Sequence, residues 1–231
     1  MIDVLDKGYV KLIETWGSDE FIIEAARMST NRGFKGWGTE EEPGDEKLLA
    51  YLYNNRHMTP FEMAGAIFEV KAPIFVFREW HRHRTQSYNE MSARYVPLPD
   101  ENYMPTMNRI MMGRDAGGNK QAQSVMTLDL TAAAGWLEQL RAVYEHSQRV
   151  YEMGIAAGVP KELARLSVPV ARYSRMRVSA NLRNWLQFCD LRDSQHAPGA
   201  QWEIRQYADM VGTYLASRFP RTMSLYKQNF K

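Results

Sequence analysis

The sequence of 231 residues lacks three features that would place it in a specialised class: paired cysteines, an excess of charge of one sign, and a long apolar run. Cys189 is its only cysteine, so one chain can form neither an internal disulfide nor a thiolate-rich metal cluster, which favours a reducing, cytoplasmic setting. No stretch approaches the ~18 uninterrupted apolar residues of a membrane span. The first residues carry charges where a signal peptide needs an apolar segment. We therefore expect a soluble protein with no membrane partner.

The charge balance argues against general nucleic-acid binding. Lys and Arg number 29 against 27 Asp and Glu, which leaves a formal charge of +2. Proteins that hold nucleic acid chiefly through phosphates carry a larger positive excess. The basic residues are mostly arginine, 20 against 9 lysines. Because the planar guanidinium recognises phosphate and carboxylate through two parallel hydrogen bonds, this bias favours a small anionic ligand.

Hydrophobic periodicity and turn residues predict an alternation of helices and strands without an internal repeat or linker. Strands are expected over 2–5, 9–14, 64–70 and 170–180, and helices over Asp19 to about Met28 (capped by Ser18), 48–53, Pro73 to Arg84, Leu128–Ala157, 161–166, 182–192 (capped by Asn181) and about Ala200–Phe219. Residues 30–45 and 97–126 are expected to be loops. The pattern indicates one α+β domain spanning residues 1–231.

The densest group of reactive side chains lies in residues 82–94, RHRTQSYNEMSAR. If the helix that begins at Pro73 continues into this segment, Glu79, Arg82 and His83 share one face, and Ser87 begins a polar loop. Arginines, an acid and hydroxyl groups beside an apolar strand and helix are suited to holding a phosphorylated ligand. The structural alternative, favoured by composition alone, is a solvated helix end with a salt-bridged loop.

A second group of polar residues lies towards the C-terminus. Its members are Glu162, Arg165, Asn181, Arg183, Gln187, Arg192 and His196. Ordinary arginines on a helix surface are the alternative interpretation. Two separated arginine-rich groups in a chain of nearly neutral charge nevertheless favour a shared anionic site.

Several other sites are excluded by spacing. His81 and His83 diverge on a helix and have no carboxylate at the expected offset, so we predict no metal site. The glycine clusters match neither the dinucleotide fingerprint nor a phosphate loop. Cys189 lies among Trp185, Leu186 and other apolar residues, which is typical of a packed cysteine rather than a nucleophile.

Residues 82–94 resemble the signature RHRxxSxNExSxR of flavin-dependent thymidylate synthases, with every fixed position filled. Further similar segments are DVLDKGYVKLIE at the start, AARMS at 25–29, HMTPFE at 57–62, VKAPIFVFREW before the signature, PKELAR at 160–165, and NLRNWLQFCDLR, HA and QWEIRQYA near the end. The similarity covers most of the chain and is poorest at 30–45 and 97–130.

The resemblance implies an α+β fold with a central, mostly antiparallel sheet flanked by helices, and long C-terminal helices. It implies a homotetramer whose active sites are built from more than one subunit. Its cofactor would be FAD and its substrate deoxyuridine monophosphate (dUMP). NADPH would be the reductant and methylenetetrahydrofolate the one-carbon donor, so that carbon 5 of uracil gains a methyl group and thymidylate (dTMP) forms.

The resemblance also assigns roles by position. The nucleotide contacts are Glu79, Trp80, His81, Arg82, Glu90, Met91, Ser92, Ala93, Arg94, Arg165 and Arg192, and the flavin contacts are Ser29, Thr59, Arg82, His83, Arg84, Glu90, Asn181, Leu182, Arg183, Gln187 and His196. Arg192 would be the catalytic residue. Its fixed charge would stabilise a uracil that has lost the proton on nitrogen 3, without an enzyme cysteine nucleophile.

Three positions depart from the family pattern. Glu79 stands where Gln is common, and its charge would repel a phosphorylated substrate unless it is directed towards an arginine or bonds the ribose. Gln187 replaces a frequent Asn. Residues 198–200 form an insertion after His196 and affect its expected pose.

Two alternatives to the synthase stay open at this point. A non-enzymatic module for single-stranded nucleic acid would grip phosphates with Arg82, Arg84, Arg94, Arg175 and Arg177 and stack bases on aromatic rings. A catalytically inactive relative would keep the scaffold alone.

Overall fold

The structure, a computed structural model, describes residues 1–39, 41–112 and 129–228. In these ranges the strands are β1 Ile2–Val4, β2 Gly8–Trp16, β3 Gly65–Pro73, β4 Ser87–Glu90 and β5 Tyr173–Asn181. The α-helices are α1 Asp19–Arg27, α2 Asp45–Asn54, α3 Ile74–Trp80, α4 Met107–Met111, α5 Leu130–Ala156, α6 Lys161–Ala164, α7 Leu182–Arg192, α8 Trp202–Arg218 and α9 Pro220–Gln228. Single turns of 3-10 helix occupy Met28–Thr30, Thr59–Met63 and Arg165–Ser167.

The strands form one sheet in the order β1-β2-β3-β5-β4, and all neighbouring strands are antiparallel. Its centre is the pair β3 and β5, which stay in register from Gly65 opposite Asn181 to Pro73 opposite Tyr173. The expected α+β class with an antiparallel sheet and helices around it is confirmed.

The two faces of the sheet differ in chemistry because side chains alternate along each strand. On one face, β3 contributes the fully buried Ala66, Phe68, Val70 and Ala72 to the core beneath α7 and α8. The indole of Trp185 on α7 packs edge-on against Phe68, with ring centroids 5.0 Å apart, and donates to the carbonyl of Ala66. The other face carries charged side chains such as the ion pair of Glu69 and Arg177. The main core therefore lies on one side of the sheet, and Tyr173 on the other side joins Tyr103 and Ala171 in a second, smaller buried cluster.

The helix that begins after Pro73 is shorter than the sequence predicts. It ends at Trp80 instead of Arg84, and the N–H of His83 bonds to the carbonyl of Trp80 in a tight turn. The Tyr88 hydroxyl holds this turn, lying 2.7 Å from the His83 carbonyl oxygen and 3.1 Å from that of Trp80. The expectation that Glu79, Arg82 and His83 share one helix face is therefore wrong.

The segment after this turn is also more ordered than predicted. Residues from Ser87 form β4, an edge strand opposite Ser179 to Met176 of β5, where a loop was expected. Backbone pairing with a neighbouring strand, which leaves little trace in a polar sequence, decides this structure.

The C-terminal region contains two helices where the periodicity predicts one. The chain leaves α8 at Phe219, and Pro220 begins α9 as a first-turn proline. The short α9 buries Thr222, Met223 and Tyr226. The long helix α5 agrees with its prediction and spans Leu130–Ala156. Residue 128, where it was expected to begin, lies outside the described residues.

Of the loop expected at 97–126, residues 113–126 lie outside the described part, and the described part contains the short α4. Within the described ranges, no helix combines the length and apolar composition needed to cross a bilayer.

Candidate active site

A cavity of about 340 Å³ opens at the end of β4. It is lined by Ile74, Glu90, Met91, Ser92, Ala93, Leu98, Arg165, Val168 and Ser174. Five of these were assigned to the nucleotide from the sequence: Glu90, Met91, Ser92, Ala93 and Arg165. The structure thus brings together the second half of the 82–94 segment and an arginine from more than 70 residues later.

Local backbone contacts explain why the signature lines this cavity. The N–H of Met91 donates to the carbonyl of Arg175 at 2.8 Å, which extends the pairing of β4 with β5 by one residue. The chain then turns, with the N–H of Tyr95 on the carbonyl of Ser92. Residues 91–93 therefore face the cavity from a short turn anchored on the sheet.

The mouth of the cavity carries positive charge that is weakly compensated. Arg94 lies 3.1 Å from the carboxylate of Glu162, and both side chains are more than half exposed. Arg165 is exposed and donates from Nε to the backbone carbonyl of Glu162 at 3.3 Å. Exposed ion pairs contribute little to stability, so a phosphate can replace the carboxylate at small cost. These arginines are suited to an anionic ligand.

Arg192 lies in a different place, at the C-terminal end of α7. Its guanidinium is 3.2 Å from the carboxylate of Glu79, and its Nε donates to Nε2 of His83 at 3.1 Å. Glu79, the first departure from the family pattern, is therefore directed towards an arginine. Neither Arg192 nor Glu79 lines the cavity.

His83 serves this cluster as a neutral acceptor. Burial, and then the charge of Arg192, lower the pKa of the imidazole to about 4. The ring packs edge-on against Phe188 with centroids 4.9 Å apart. At neutral pH the uncharged Nε2 accepts from Arg192, and this contact orients the guanidinium.

Residues 80–82, at the end of α3 and the start of the signature, divide between the core and the surface. Trp80 is fully buried, stacks on Phe188 and donates from its indole nitrogen to Gln86, so it has no exposed surface in this chain with which to line a ligand. His81 is exposed, with its ring edge-on to Tyr88. Arg82 is exposed too, and its guanidinium has no partner among the described residues.

A second cavity, of about 420 Å³, lies beside the N-terminal half of α7. Its walls are Tyr53, Arg56, Met58, Arg183, Leu186, Gln187, Asp190 and Tyr226. Arg183 and Gln187 were assigned to the flavin from the sequence, and Thr59 follows Met58 directly. Sequence reasoning missed Arg56, whose positive φ of 58° places it in a left-handed turn after α2. The two adjacent asparagines before it are the turn signal that was available.

The remaining flavin-side residues have varied surroundings. Asn181 caps α7 as predicted, accepting from the N–H of Asn184, whereas Leu182 is fully buried. Ser29 lies in the middle of the 3-10 turn after α1 and donates to the carbonyl of Ala26. His196 contacts the Asp193 carboxylate through Nδ1 at 3.0 Å, and its ring packs on Tyr226, one of the residues that line the second cavity.

Cys189 is fully buried in the core, as the sequence predicts for a packed cysteine. Burial, reinforced by nearby carboxylates, raises the pKa of its thiol well above the ordinary range. It is therefore a protonated, solvent-shielded group at neutral pH.

Comparison with known proteins identifies the family to which this chain belongs. The family profile described as thymidylate synthase complementing protein matches residues 11–221. A flavin-dependent thymidylate synthase from Thermus thermophilus is 40% identical over 228 residues, covering 99% of this chain and 78% of that protein. One from Thermosipho melanesiensis is 38% identical over 229 residues, covering 99% and 94%. The chain belongs to the flavin-dependent thymidylate synthase family.

A solved structure agrees with this assignment. The UMP/dUMP methylase PolB from Streptomyces cacaoi, bound with 5-Br dUMP, superposes with a TM-score of 0.82 at 29% identity, over 99% of this chain and 98% of that one. The family resemblance read from residues 82–94 is confirmed, as is the prediction of an enzyme of the thymidylate synthase class.

Proposed function

We propose that this chain converts dUMP to dTMP by flavin-dependent reductive methylation, with methylenetetrahydrofolate as one-carbon donor and NADPH as reductant. The observation that carries the proposal is the cavity at the end of β4, in which residues 90–93 of the signature meet Arg165. An acid, a hydroxyl and a guanidinium around a cavity of about 340 Å³ are suited to a pyrimidine monophosphate.

In this proposal the phosphate binds at the arginine-rich mouth of the cavity. Arg165 and Arg94 supply guanidinium groups, and Ser92 supplies a hydroxyl on the turn after β4. The dianion displaces the weak pairing of Arg94 with Glu162, since phosphate offers more charge and more acceptor atoms than one carboxylate. Glu90, whose carboxylate accepts, is suited to a hydroxyl or ring N–H of the nucleoside.

A second copy of the chain completes the site. Ile74 at the start of α3 lines the cavity, whereas Glu79 lies five residues on, about 7.5 Å along the helix axis at 1.5 Å per residue. Arg192 bonds Glu79 and is not among the lining residues. The separation supports the homotetramer, in which the Glu79–Arg192 cluster of one subunit faces the cavity of another.

The second cavity fits part of a flavin dinucleotide. Arg56 offers positive charge for its diphosphate, and so does Arg183 if the diphosphate displaces its partly exposed ion pair with Glu62. Gln187 offers an amide that can both donate and accept. The exposed Arg82 and Arg84 add guanidinium groups next to His83, and Ser29, Thr59, Glu90, Asn181, Leu182 and His196 are proposed as further flavin-side positions. Bound there, FAD would supply two-electron redox chemistry, by which the reducing equivalents of NADPH convert the transferred one-carbon unit to a methyl group.

Arg192 acts on the uracil as a fixed positive charge. A guanidinium stays protonated near neutral pH, so it cannot serve as a base, but it stabilises the negative charge of a ring that has lost the proton on nitrogen 3. That charge raises the electron density at carbon 5, where the new bond forms. Neutral His83 fixes the guanidinium through Nε without adding a competing charge.

The test is formation of thymidylate when dUMP, methylenetetrahydrofolate, NADPH and FAD are supplied together. We expect product with FAD and none after FAD is stripped. A Cys189→Ala variant should keep turnover within about twofold, since a buried, protonated thiol takes no part. Absence of product under all conditions contradicts the proposal. Salt-sensitive binding of single strands by a chain with no affinity for the mononucleotide would favour the nucleic-acid alternative.

A further inference from the structure

Ser174 is a buried polar residue to which neither the signature nor the proposed function gives a role. It lies near the start of β5, opposite Ala72 of β3, and its exposed fraction is 1%. Its hydroxyl oxygen is fully buried and has no hydrogen-bond partner among the described residues. Its neighbours in sequence, Tyr173 and Arg175, point to the opposite face of the sheet because side chains alternate.

The side chains beside this hydroxyl on the same face of the sheet are apolar. The residue across the strand pair is Ala72, and the next residue on the same face of β5 is Met176, both buried. An alanine at position 174 would fill this place without burying a polar group. A buried hydroxyl without a partner costs stability, and a bound ligand or ordered water that accepts its hydrogen bond offsets this cost.

Ser174 is also a wall of the cavity assigned above to the nucleotide. It shares that cavity with the apolar Ile74 and Val168, and with Arg165 and Ser92, the groups suited to phosphate. A phosphate has three terminal oxygens, each of which accepts more than one hydrogen bond, so a deep hydroxyl adds to the donors at the mouth.

We infer that Ser174 is a further substrate-binding residue, whose hydroxyl donates a hydrogen bond to a phosphate oxygen of the nucleotide held by Arg165. The inference rests on the proposed function, since it takes dUMP as the ligand of this cavity. It adds to the site a residue that stands 80 positions after the end of the signature.

The test compares Ser174→Ala with the wild-type chain by titration calorimetry with dUMP and with deoxyuridine, which lacks the phosphate. We expect the variant to bind dUMP about tenfold more weakly, the effect of losing one hydrogen bond to a charged group. Affinity for deoxyuridine should change less than twofold. The melting temperature of the variant should be no lower than that of the wild type, because an unpaired hydroxyl has been removed.

Ser179→Ala is the matched control, since Ser179 lies on the opposite face of the same strand and should leave dUMP affinity unchanged. Equal dUMP affinity for the wild type and Ser174→Ala would overturn this inference alone. An equal loss for deoxyuridine would overturn the phosphate contact. A wild-type chain that binds no dUMP would overturn the proposed function, and this inference with it.

Discussion

Arg165 and Arg192 come from the same polar group of the sequence, yet they occupy contrasting environments. Arg192 is only 18% exposed in its side chain and is fixed by Glu79 and His83. Arg165 is exposed at a cavity mouth, where its one described contact is a backbone carbonyl. A fixed charge is preorganised for charge that develops during reaction, whereas a loosely held one is free to bind the ground state. Under the proposed function, this difference assigns Arg192 to catalysis and Arg165 to substrate binding.

Arg192→Ala should give the largest effect. We expect kcat to fall about 1,000-fold with little change in the KM for dUMP, since a preorganised charge acts mainly on the activated ring. Steady-state kinetics measures both constants, and gel filtration checks that assembly is kept. The matched control is Arg78→Ala on α3, an exposed arginine outside both clusters. Turnover retained by Arg192→Ala would refute the role given to this residue.

Arg165→Ala should give a smaller effect, on the KM for dUMP rather than on kcat. The KM for dUMP should rise about 30-fold while kcat stays within about threefold, because the phosphate loses a charge-assisted contact that is equal in ground and transition states. Arg165→Lys should recover part of the affinity, since it restores the charge without the planar fork. A fall in kcat like that of Arg192→Ala would erase the distinction between the two arginines.

A third effect concerns the environment of Arg192 and appears as a pH dependence of stability rather than of catalysis. The pKa of His83 is about 4 in the folded chain against 6.5 for a free imidazole. The unfolded state therefore takes up the proton first, and acidification from pH 6.5 to 4 lowers the free energy of unfolding by on the order of 3 kcal/mol at this site. Above pH 6.5 both states are neutral, so the contribution vanishes.

A His83→Gln variant isolates this contribution, since its amide oxygen still accepts from Arg192 but does not titrate. Urea unfolding at pH 7, 6, 5 and 4, at one protein concentration, should show the wild type losing more stability on acidification than the variant. His146→Gln, at an exposed position on α5, is the control and should follow the wild type. Parallel curves for the wild type and His83→Gln would show that the imidazole is not held neutral.

The elements with strong local signals were predicted well. The period of apolar residues gave α5 to within two residues at its described start and one at its end, and Asn181 caps α7 as expected. The end of α3 was missed because the chain turns between Trp80 and Gln86. Side-chain hydrogen bonds from Trp80 and Tyr88 hold this turn, and apolar periodicity does not register them. The end of α8 at Phe219 was predicted, whereas α9 was missed although its first residue, Pro220, is a local helix-start signal.

The roles of the predicted site residues stay predictions, and the structure shows which of these residues come together. The sequence selected Glu90 to Ala93 and Arg165, which line one cavity, and Arg183 and Gln187, which line another. It placed Trp80 and Leu182 beside ligands, whereas both are fully buried. Arg56 and Ser174 carry no motif, so only their positions in the fold identify them.

The order of residues alone determined the family, since eight fixed side chains within a segment of thirteen rarely occur together by chance, and it determined the element types wherever apolar periodicity is strong. The tertiary structure decided which of those side chains meet. Pairing of β4 with β5 brings the signature to Arg165 and Ser174, and the packing of α3 against the core directs Glu79 and His83 to Arg192. The residues of these pairs are far apart along the chain. Their burial and the ion pairs and hydrogen bonds between them form only when the chain folds.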